Sequence, residues 1–284
     1  MLGTDDRYWV PECVKDYLRG RGWRLALEDM EPHILTWDTW MRARGDFYDY
    51  RDTDGFGRVY EVHRRSIMPA MRVCREWGSL LLNENTLVAC ERQEATDWLS
   101  RYLASCSFRD RAQETVSRAF GLGTGAVALW LDTGAGRMRL RHYDARMVVP
   151  LSWDADAVTE CAFVTRAFAR GEALDQLQMH VVDGDGLYRI EVACFDMEGN
   201  EVEVPGVAPV TRTGSPYPTF GIIRPAVPNT RVDMSPYGQS VFADAIDAIQ
   251  SVDLAFDALI NEVDAGKMRV FLSDVMFDRE RDAC

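Results

Sequence analysis

The chain has 284 residues, and its content of 47% apolar and 27% charged residues is ordinary for a globular protein with a sizeable core. A formal net charge of −13 argues against tight nucleic-acid binding through a basic surface, although a channel that lets DNA slide would also avoid cationic contacts. The longest apolar run is too short to span a bilayer, and the polar start is not typical of a signal peptide, so we expect assembly from a cytosolic pool.

The first half of the chain predicts helices. Residues 1 to about 45 are rich in tryptophan and arginine, and we interpret the tryptophans as core or subunit-interface residues. Apolar residues recur at helical spacing in residues 63–82 and again in residues 93–120. The glycines of Gly121–Gly125 predict the end of this last helix, because glycine suits the left-handed position at a helix C-terminus.

Turns and strands complete the middle of the chain. Phe47–Arg58 contains several turn residues and predicts turns, whereas Thr86–Cys90 predicts a short strand. From Ala126 onward apolar and polar residues alternate, which predicts strands at Ala126–Asp132, Arg137–Tyr143, Met147–Pro150, Glu160–Ala169, Leu177–Val182, Leu187–Phe195 and Glu201–Val204. Their regular spacing predicts an antiparallel meander folded into a sandwich or a curved sheet. The proline-rich passage Pro205–Pro236 cannot be one regular element.

The strongest helix signal lies near the C-terminal end. Ser235 predicts an N-cap, Pro236 a first helical turn and Gly266 the end of the helix. About 30 residues at 1.5 Å rise give a rod of about 45 Å. The apolar positions are Phe242, Ala245, Ile246, Ile249, Val252, Phe256, Leu259, Ile260 and Val263. The polar positions are mostly acidic: Asp244, Asp247, Asp253, Asp257, Glu262 and Asp264. A short strand is predicted at Val270–Leu272.

No motif in the sequence predicts catalysis. The glycines of residues 121–126 follow a helix and precede a strand, the reverse of the order in a dinucleotide-binding loop. The four histidines are scattered, and the acidic turns at residues 52–55 and 183–186 lack the closing glutamate of a calcium loop. Seven cysteines without CxxC or CxxH spacing predict neither disulfides nor zinc. We therefore expect no enzymatic activity, no catalytic residue, no cofactor and no metal site.

Residues 235–271, SPYGQSVFADAIDAIQSVDLAFDALINEVDAGKMRVF, resemble a segment of the portal proteins of tailed bacteriophages and prophages of Gram-positive bacteria. Those proteins carry a P-x-G-x-S start, a long helix rich in alanine and aspartate, and then a basic residue and a strand. The matching residues are Pro236, Tyr237, Gly238, Ser240, Ala245, Val252, Asp253, Lys267, Arg269, Val270 and Phe271. Upstream, Gly123–Ala126 resembles the family's glycine step out of a helix, Asp144–Pro150 its strand before a proline, and Leu80–Glu84 part of its N-terminal region.

The resemblance implies an α+β subunit of a ring, typically of twelve copies, at one capsid vertex through which DNA is packaged and ejected. It divides the chain into an N-terminal helical part of the wing (1–125), a β-rich part of the wing (126–234), a stem helix (235–266) and the start of a clip (267–284). The family's second stem helix, most of the clip, the channel loop and the crown have no counterpart in this sequence, so we expect a truncated chain.

The resemblance also implies partners and a location. The partners are further copies of the chain, the terminase, head–tail connector proteins, major capsid or scaffold proteins, and DNA that passes without sequence-specific binding, with no membrane involved. The location is the portal vertex of the virion, and the host cytoplasm during assembly. We expect four acids to face the DNA channel, where they would repel phosphates: Asp244, Asp247, Asp253 and Asp257. The residues expected to pack the stem helix are Phe242, Ile246, Ile249, Phe256 and Ile260.

Two other interpretations stay open. A different phage minor capsid protein or head–tail adaptor would have a similar composition, but it would form a compact domain without an extended helix. An enzyme of unknown class would have a concave pocket in which polar groups with shifted pKa values converge.

Overall fold

The computed structural model describes residues 9–132, 136–155, 157–169 and 171–267. It confirms the predicted α+β fold. The helices are α1 (Glu12–Gly20), α2 (Ala26–Met41), α3 (Pro69–Leu81), α4 (Gln93–Ser105), α5 (Phe108–Leu122) and α6 (Ile246–Lys267). The strands are β1 (Asp49–Thr53), β2 (Val59–His63), β3 (Gly125–Asp132), β4 (Arg137–Asp144), β5 (Val148–Trp153), β6 (Val158–Ala169), β7 (Glu172–Val182), β8 (Tyr188–Phe195), β9 (Val210–Arg212) and β10 (Phe220–Ile223).

Two antiparallel sheets form the body of the protein. The larger sheet has the order β5-β6-β7-β8-β9, so each strand pairs with its neighbour in sequence and the predicted meander is confirmed. The smaller sheet has the order β10-β3-β4. Both β9 and β10 come from the proline-rich passage, in which short strands therefore form between the prolines.

Two of the predicted strands are wrong. Glu201–Val204 makes only an isolated bridge, between Glu201 and Phe195, because Pro205 follows and has no N–H with which to extend the pairing. Thr86–Cys90 is mostly exposed and irregular, and no strand of the described chain lies beside it to pair.

Phe47–Arg58, predicted as turns alone, contains the first strand and the turn of a β-hairpin formed by β1 and β2. Asp54 organises the turn, since its Oδ1 accepts hydrogen bonds from the backbone N–H of Phe56 at 2.9 Å and of Arg58 at 2.8 Å. Most side chains of both strands are exposed. A two-stranded ribbon is marginal by itself, so its attachment to the rest of the chain matters.

The main core lies between the N-terminal helices and the larger sheet. Trp37 of α2 is 2% exposed and is the largest buried side chain there. It is accompanied by Leu18, Leu27, Met30 and Ile34 from the helices and by Val149, Val164, Leu177 and Met179 from the sheet. Residues on both sides of the predicted boundary at residue 125 share this core, and the domain boundaries themselves stay a prediction.

A polar seam joins the two sheets. The Gln178 side chain donates a hydrogen bond to the carbonyl oxygen of Leu129 at 2.8 Å, and His180 Nδ1 lies 2.6 Å from Thr219 Oγ1. Burial lowers the pKa of His180 to about 3, so its ring is neutral at pH 7. The seam therefore connects the sheets through neutral groups that satisfy one another inside the protein.

Helices α4 and α5 occupy the helical block predicted at residues 93–120. The chain breaks between them at Ser107, whose φ of +49° interrupts the helical path. At the other end, α5 stops at Gly123 with a φ of +83°, so the predicted glycine step is confirmed.

The C-terminal helix begins later than predicted. Residues 235–242 are not helical, a single 3-10 turn follows at Ala243–Ala245, and α6 then spans 22 residues, or about 33 Å. Ser235 is therefore not the N-cap, and its Oγ instead accepts a hydrogen bond from the N–H of Tyr237 at 3.2 Å. The predicted strand Val270–Leu272 lies outside the described residues.

Candidate subunit interface

Three of the segments that were compared with portal proteins in the sequence meet just before α6. The Tyr237 hydroxyl is buried and donates a hydrogen bond to the carbonyl oxygen of Val148 at 2.6 Å. The N–H of Gly238 donates to Thr124 Oγ1 at 3.0 Å. Motif residues from residues 123–126, 144–150 and 235–240 thus form one buried cluster, in which Pro236 and Ser240 are buried as well.

Gly123 and Gly238 are in direct backbone contact. A Cβ added to Gly123 would overlap the carbonyl oxygen of Gly238, and a Cβ added to Gly238 would overlap the carbonyl oxygen of Gly123. The positive φ of Gly123 adds a second requirement for glycine. Close backbone approach therefore explains why glycine occurs in both motifs.

One face of α6 is attached to the base of the hairpin by a buried carboxylate. Asp253 is 0% exposed. Its Oδ2 accepts hydrogen bonds from the Tyr48 hydroxyl at 2.7 Å and the Ser66 hydroxyl at 2.6 Å, and its Oδ1 accepts one from the N–H of Ile67 at 3.1 Å. Burial and then the Asp253 carboxylate raise the pKa of Tyr48, so this hydroxyl stays protonated and keeps donating.

The attachment continues one helical turn further along α6. Asp257 Oδ1 accepts a hydrogen bond from the N–H of Arg65 at 3.1 Å, and Oδ2 lies 3.9 Å from Arg64 Nε. The Arg64 guanidinium lies over the rings of Phe47 at 4.2 Å and Tyr50 at 4.9 Å. These stacked rings hold the cation that faces the helix. Polar contacts with the hairpin and residues 64–67 therefore fix this face of α6.

The side of α6 that points away from Asp253 and Asp257 carries an exposed apolar strip. Its large side chains are Val252, Leu259 and Val263, which are 45–60% exposed. Val252, Ala255 and Leu259 follow the alternating spacing of three and four that is typical of a helix–helix seam. We call these four residues the α6 outer face. Exposed apolar strips of this kind are typical of surfaces that bind a partner.

The predicted acidic row is divided between the two sides of the helix. Asp244 and Asp247 are exposed, and Asp244 pairs with Arg231 at 3.0 Å. Asp253 and Asp257 are buried, so the expectation that all four acids line an exposed surface is wrong for these two. Sequence spacing could not reveal this, because the donors that Asp253 and Asp257 bind lie about 190 positions upstream.

The predicted packing residues lie nearer to the body. Phe242 and Ile249 are buried, whereas three are half-buried: Ile246, Phe256 and Ile260. Lys267 of the portal-like motif is exposed and pairs with Asp264 at 3.1 Å.

A second apolar surface, which we call the α3–α4 surface, consists of exposed side chains of α3, α4 and the segment between them: Val73, Trp77, Leu80, Leu81, Leu87, Val88 and Trp98. It exists because α3 packs on α5 through small residues, Ala70, Cys74 and Gly78, which leaves the large ones outside. The helical spacing of Trp77, Leu80 and Leu81 predicted the helix but gave no sign that these residues are exposed. A groove of about 450 Å³ adjoins this surface.

No protein-family model matches the chain, and no curated protein is significantly similar to it in sequence. None of the helices in the described part is both long and apolar enough to cross a membrane. Within the same residues, histidine, cysteine, aspartate and glutamate side chains form no group of three or more that would hold a metal ion.

Proposed function

We propose that the chain is a structural subunit of a phage portal, a ring at the capsid vertex through which DNA is packaged and ejected. The observation that carries the proposal is the α6 outer face, an apolar strip on a helix whose other side is already fixed by Asp253 and Asp257. The helix cannot rotate to bury this strip without breaking those buried hydrogen bonds. We therefore expect a neighbouring subunit to pack against this apolar strip.

A closed ring needs two different complementary surfaces on each subunit. The α3–α4 surface supplies the second one. In the proposed ring, the α6 outer face of one subunit packs against the α3–α4 surface of the next.

The charge of the chain suits a channel for DNA. The net charge is −13, and Asp244 and Asp247 remain exposed beside the proposed contact. Carboxylates at a channel wall repel phosphates and let duplex DNA slide without sticking. We assign this role to Asp244 and Asp247, and not to the buried Asp253 and Asp257.

Electron microscopy of the purified chain at high protein concentration, together with native mass spectrometry, tests the proposal. We expect ring-shaped assemblies with a central opening. The double variant Val252→Asp/Leu259→Asp should abolish them, because it places charges in the contact. Met197→Asp, at an exposed site on the loop between β8 and β9, is the matched control and should assemble normally. A chain that stays monomeric, or assemblies that tolerate the double variant, would overturn the proposal.

A further inference from the structure

A cavity of about 500 Å³ lies between α5 and β4, and none of its lining residues belongs to α6 or to the α3–α4 surface. Helix α5 contributes Arg111, Glu114, Thr115 and Arg118, and β4 contributes Leu140, Arg141, His142, Tyr143 and Asp144. Three arginines therefore face two carboxylates in a chain whose overall charge is negative.

Both carboxylates are already neutralised. Glu114 Oε1 lies 2.7 Å from a terminal nitrogen of Arg118. Asp144 Oδ2 lies 2.6 Å from Arg146 and 3.3 Å from Arg118. Although burial acts in the opposite direction, the hydrogen bond from Arg146 holds the pKa of Asp144 below its ordinary value. Neither acid is left to compensate another cation in the cavity.

Two guanidinium groups remain uncompensated. Within the described part of the chain, neither Arg111 nor Arg141 lies within salt-bridge distance of a carboxylate. Arg141 is half-buried, lies 4.0 Å from the ring centre of Trp130, and donates to the neutral side chain of Gln176 at 2.8 Å. A cation held partly out of water is costly unless an anion approaches it.

Neutral hydrogen-bonding groups surround these cations. Thr115 Oγ1 lies 2.8 Å from His142 Nδ1, and the Thr165 side chain also lines the cavity. Burial and then the charge of Arg111 lower the pKa of His142, so this ring is neutral at pH 7. The positive potential of Arg111 thus already acts on the interior of the cavity.

We infer that this cavity binds a small oxyanion, a phosphate or a carboxylate group, between Arg111 and Arg141. Guanidinium forks match the planar or tetrahedral oxygens of such groups with paired, charge-assisted hydrogen bonds. The inference does not depend on ring formation, because the cavity is complete within one chain.

Calorimetric titration and thermal unfolding with inorganic phosphate or citrate, against chloride at equal ionic strength, test the inference. We expect saturable binding and a Tm that rises with phosphate or citrate but not with chloride. Comparing the two anions shows whether phosphate or carboxylate oxygens fit better. Binding of neither anion above the chloride background would overturn the inference.

Variants locate the site. Arg111→Gln and Arg141→Gln should each weaken binding at least tenfold, whereas Arg137→Gln, an exposed position of β4 outside the cavity, should bind like the unmodified chain. Arg111 is exposed, so its variant tests the site even if the Arg141 variant does not fold. In nuclear magnetic resonance, bound anion should raise the pKa of His142. Binding that survives both substitutions would overturn the inference.

Discussion

The body of the protein and α6 differ in the side chains that they bury and expose. In the body, Trp37 and its neighbours form an apolar core between the helices and the larger sheet, and polar groups lie mostly outside. On α6, the side facing the chain buries two carboxylates, Asp253 and Asp257, beside Ile249, and the side facing solvent carries Val252 and Leu259. The body therefore covers its own apolar side chains, whereas α6 leaves apolar side chains exposed on its outer side.

In the proposed ring, this difference separates the contacts that fold the chain from those that join subunits. Apolar burial in the body supplies most of the stability. The buried hydrogen bonds of Asp253 determine the orientation of α6, because they fix which face of the helix points outward.

Truncation in the core should have the largest effect. Trp37→Ala removes a side chain that is buried in the main cluster, and we expect it to lower the free energy of unfolding by about 3–5 kcal/mol. Urea unfolding followed by circular dichroism measures the change. A loss below about 1 kcal/mol would show that the apolar cluster of α2 and the larger sheet does not dominate stability.

Loss of the buried carboxylate should have the next largest effect. Asp253→Ala leaves the Tyr48 hydroxyl, the Ser66 hydroxyl and the Ile67 N–H without their acceptor, and we expect a loss of about 3 kcal/mol, concentrated at α6. Hydrogen exchange should show faster exchange in α6 and unchanged exchange in β6 and β7. Asp247→Ala, at an exposed position of the same helix, is the control. Uniformly faster exchange would mean that α6 is not a separately attached element.

Acid should destabilise the body through His180. Its pKa is about 3 in the folded chain and about 6.5 when unfolded, so between these values only the unfolded chain takes up the proton. Stability should therefore be full above pH 6.5 and fall as the pH decreases, by about 2 kcal/mol at pH 5 for this group alone. Urea unfolding of the unmodified chain and of His180→Gln at pH 7 and pH 5 isolates the effect. The prediction fails if both proteins lose the same stability.

The sequence predicted much of the body. Strands β3 to β8 follow from the alternation of apolar and polar residues, and the end of α5 follows from Gly123. The late start of α6 could not be read from Ser235 and Pro236, because Tyr237 and Gly238 are drawn into a buried cluster with Val148 and Thr124. Tertiary contacts there override a good local capping signal.

The candidate interface was predicted less completely. The spacing of α6 showed an apolar stripe and an acidic row, and the natural expectation is that the apolar stripe faces the chain. Instead, part of the acidic row faces the chain and part of the apolar stripe faces solvent. The reason is that Asp253 accepts hydrogen bonds from Tyr48 and Ser66, which are distant in sequence. The hairpin of β1 and β2 was not predicted, because its glycines and aspartates indicate turns and its two strands are short and mostly exposed.

The smallest effect on folding, and the most direct test of the central claim, concerns Leu259. It is 60% exposed, and its truncation to alanine should change the free energy of unfolding by less than about 0.5 kcal/mol. The decisive measurement uses Leu259→Cys and the control Met197→Cys, with thiol labelling at each site followed by mass spectrometry as the protein concentration rises. We predict that labelling at position 259 slows by tenfold or more once subunits associate, while labelling at position 197 stays unchanged. Equal labelling rates at position 259 at all concentrations would contradict the claim that a neighbouring copy covers this face.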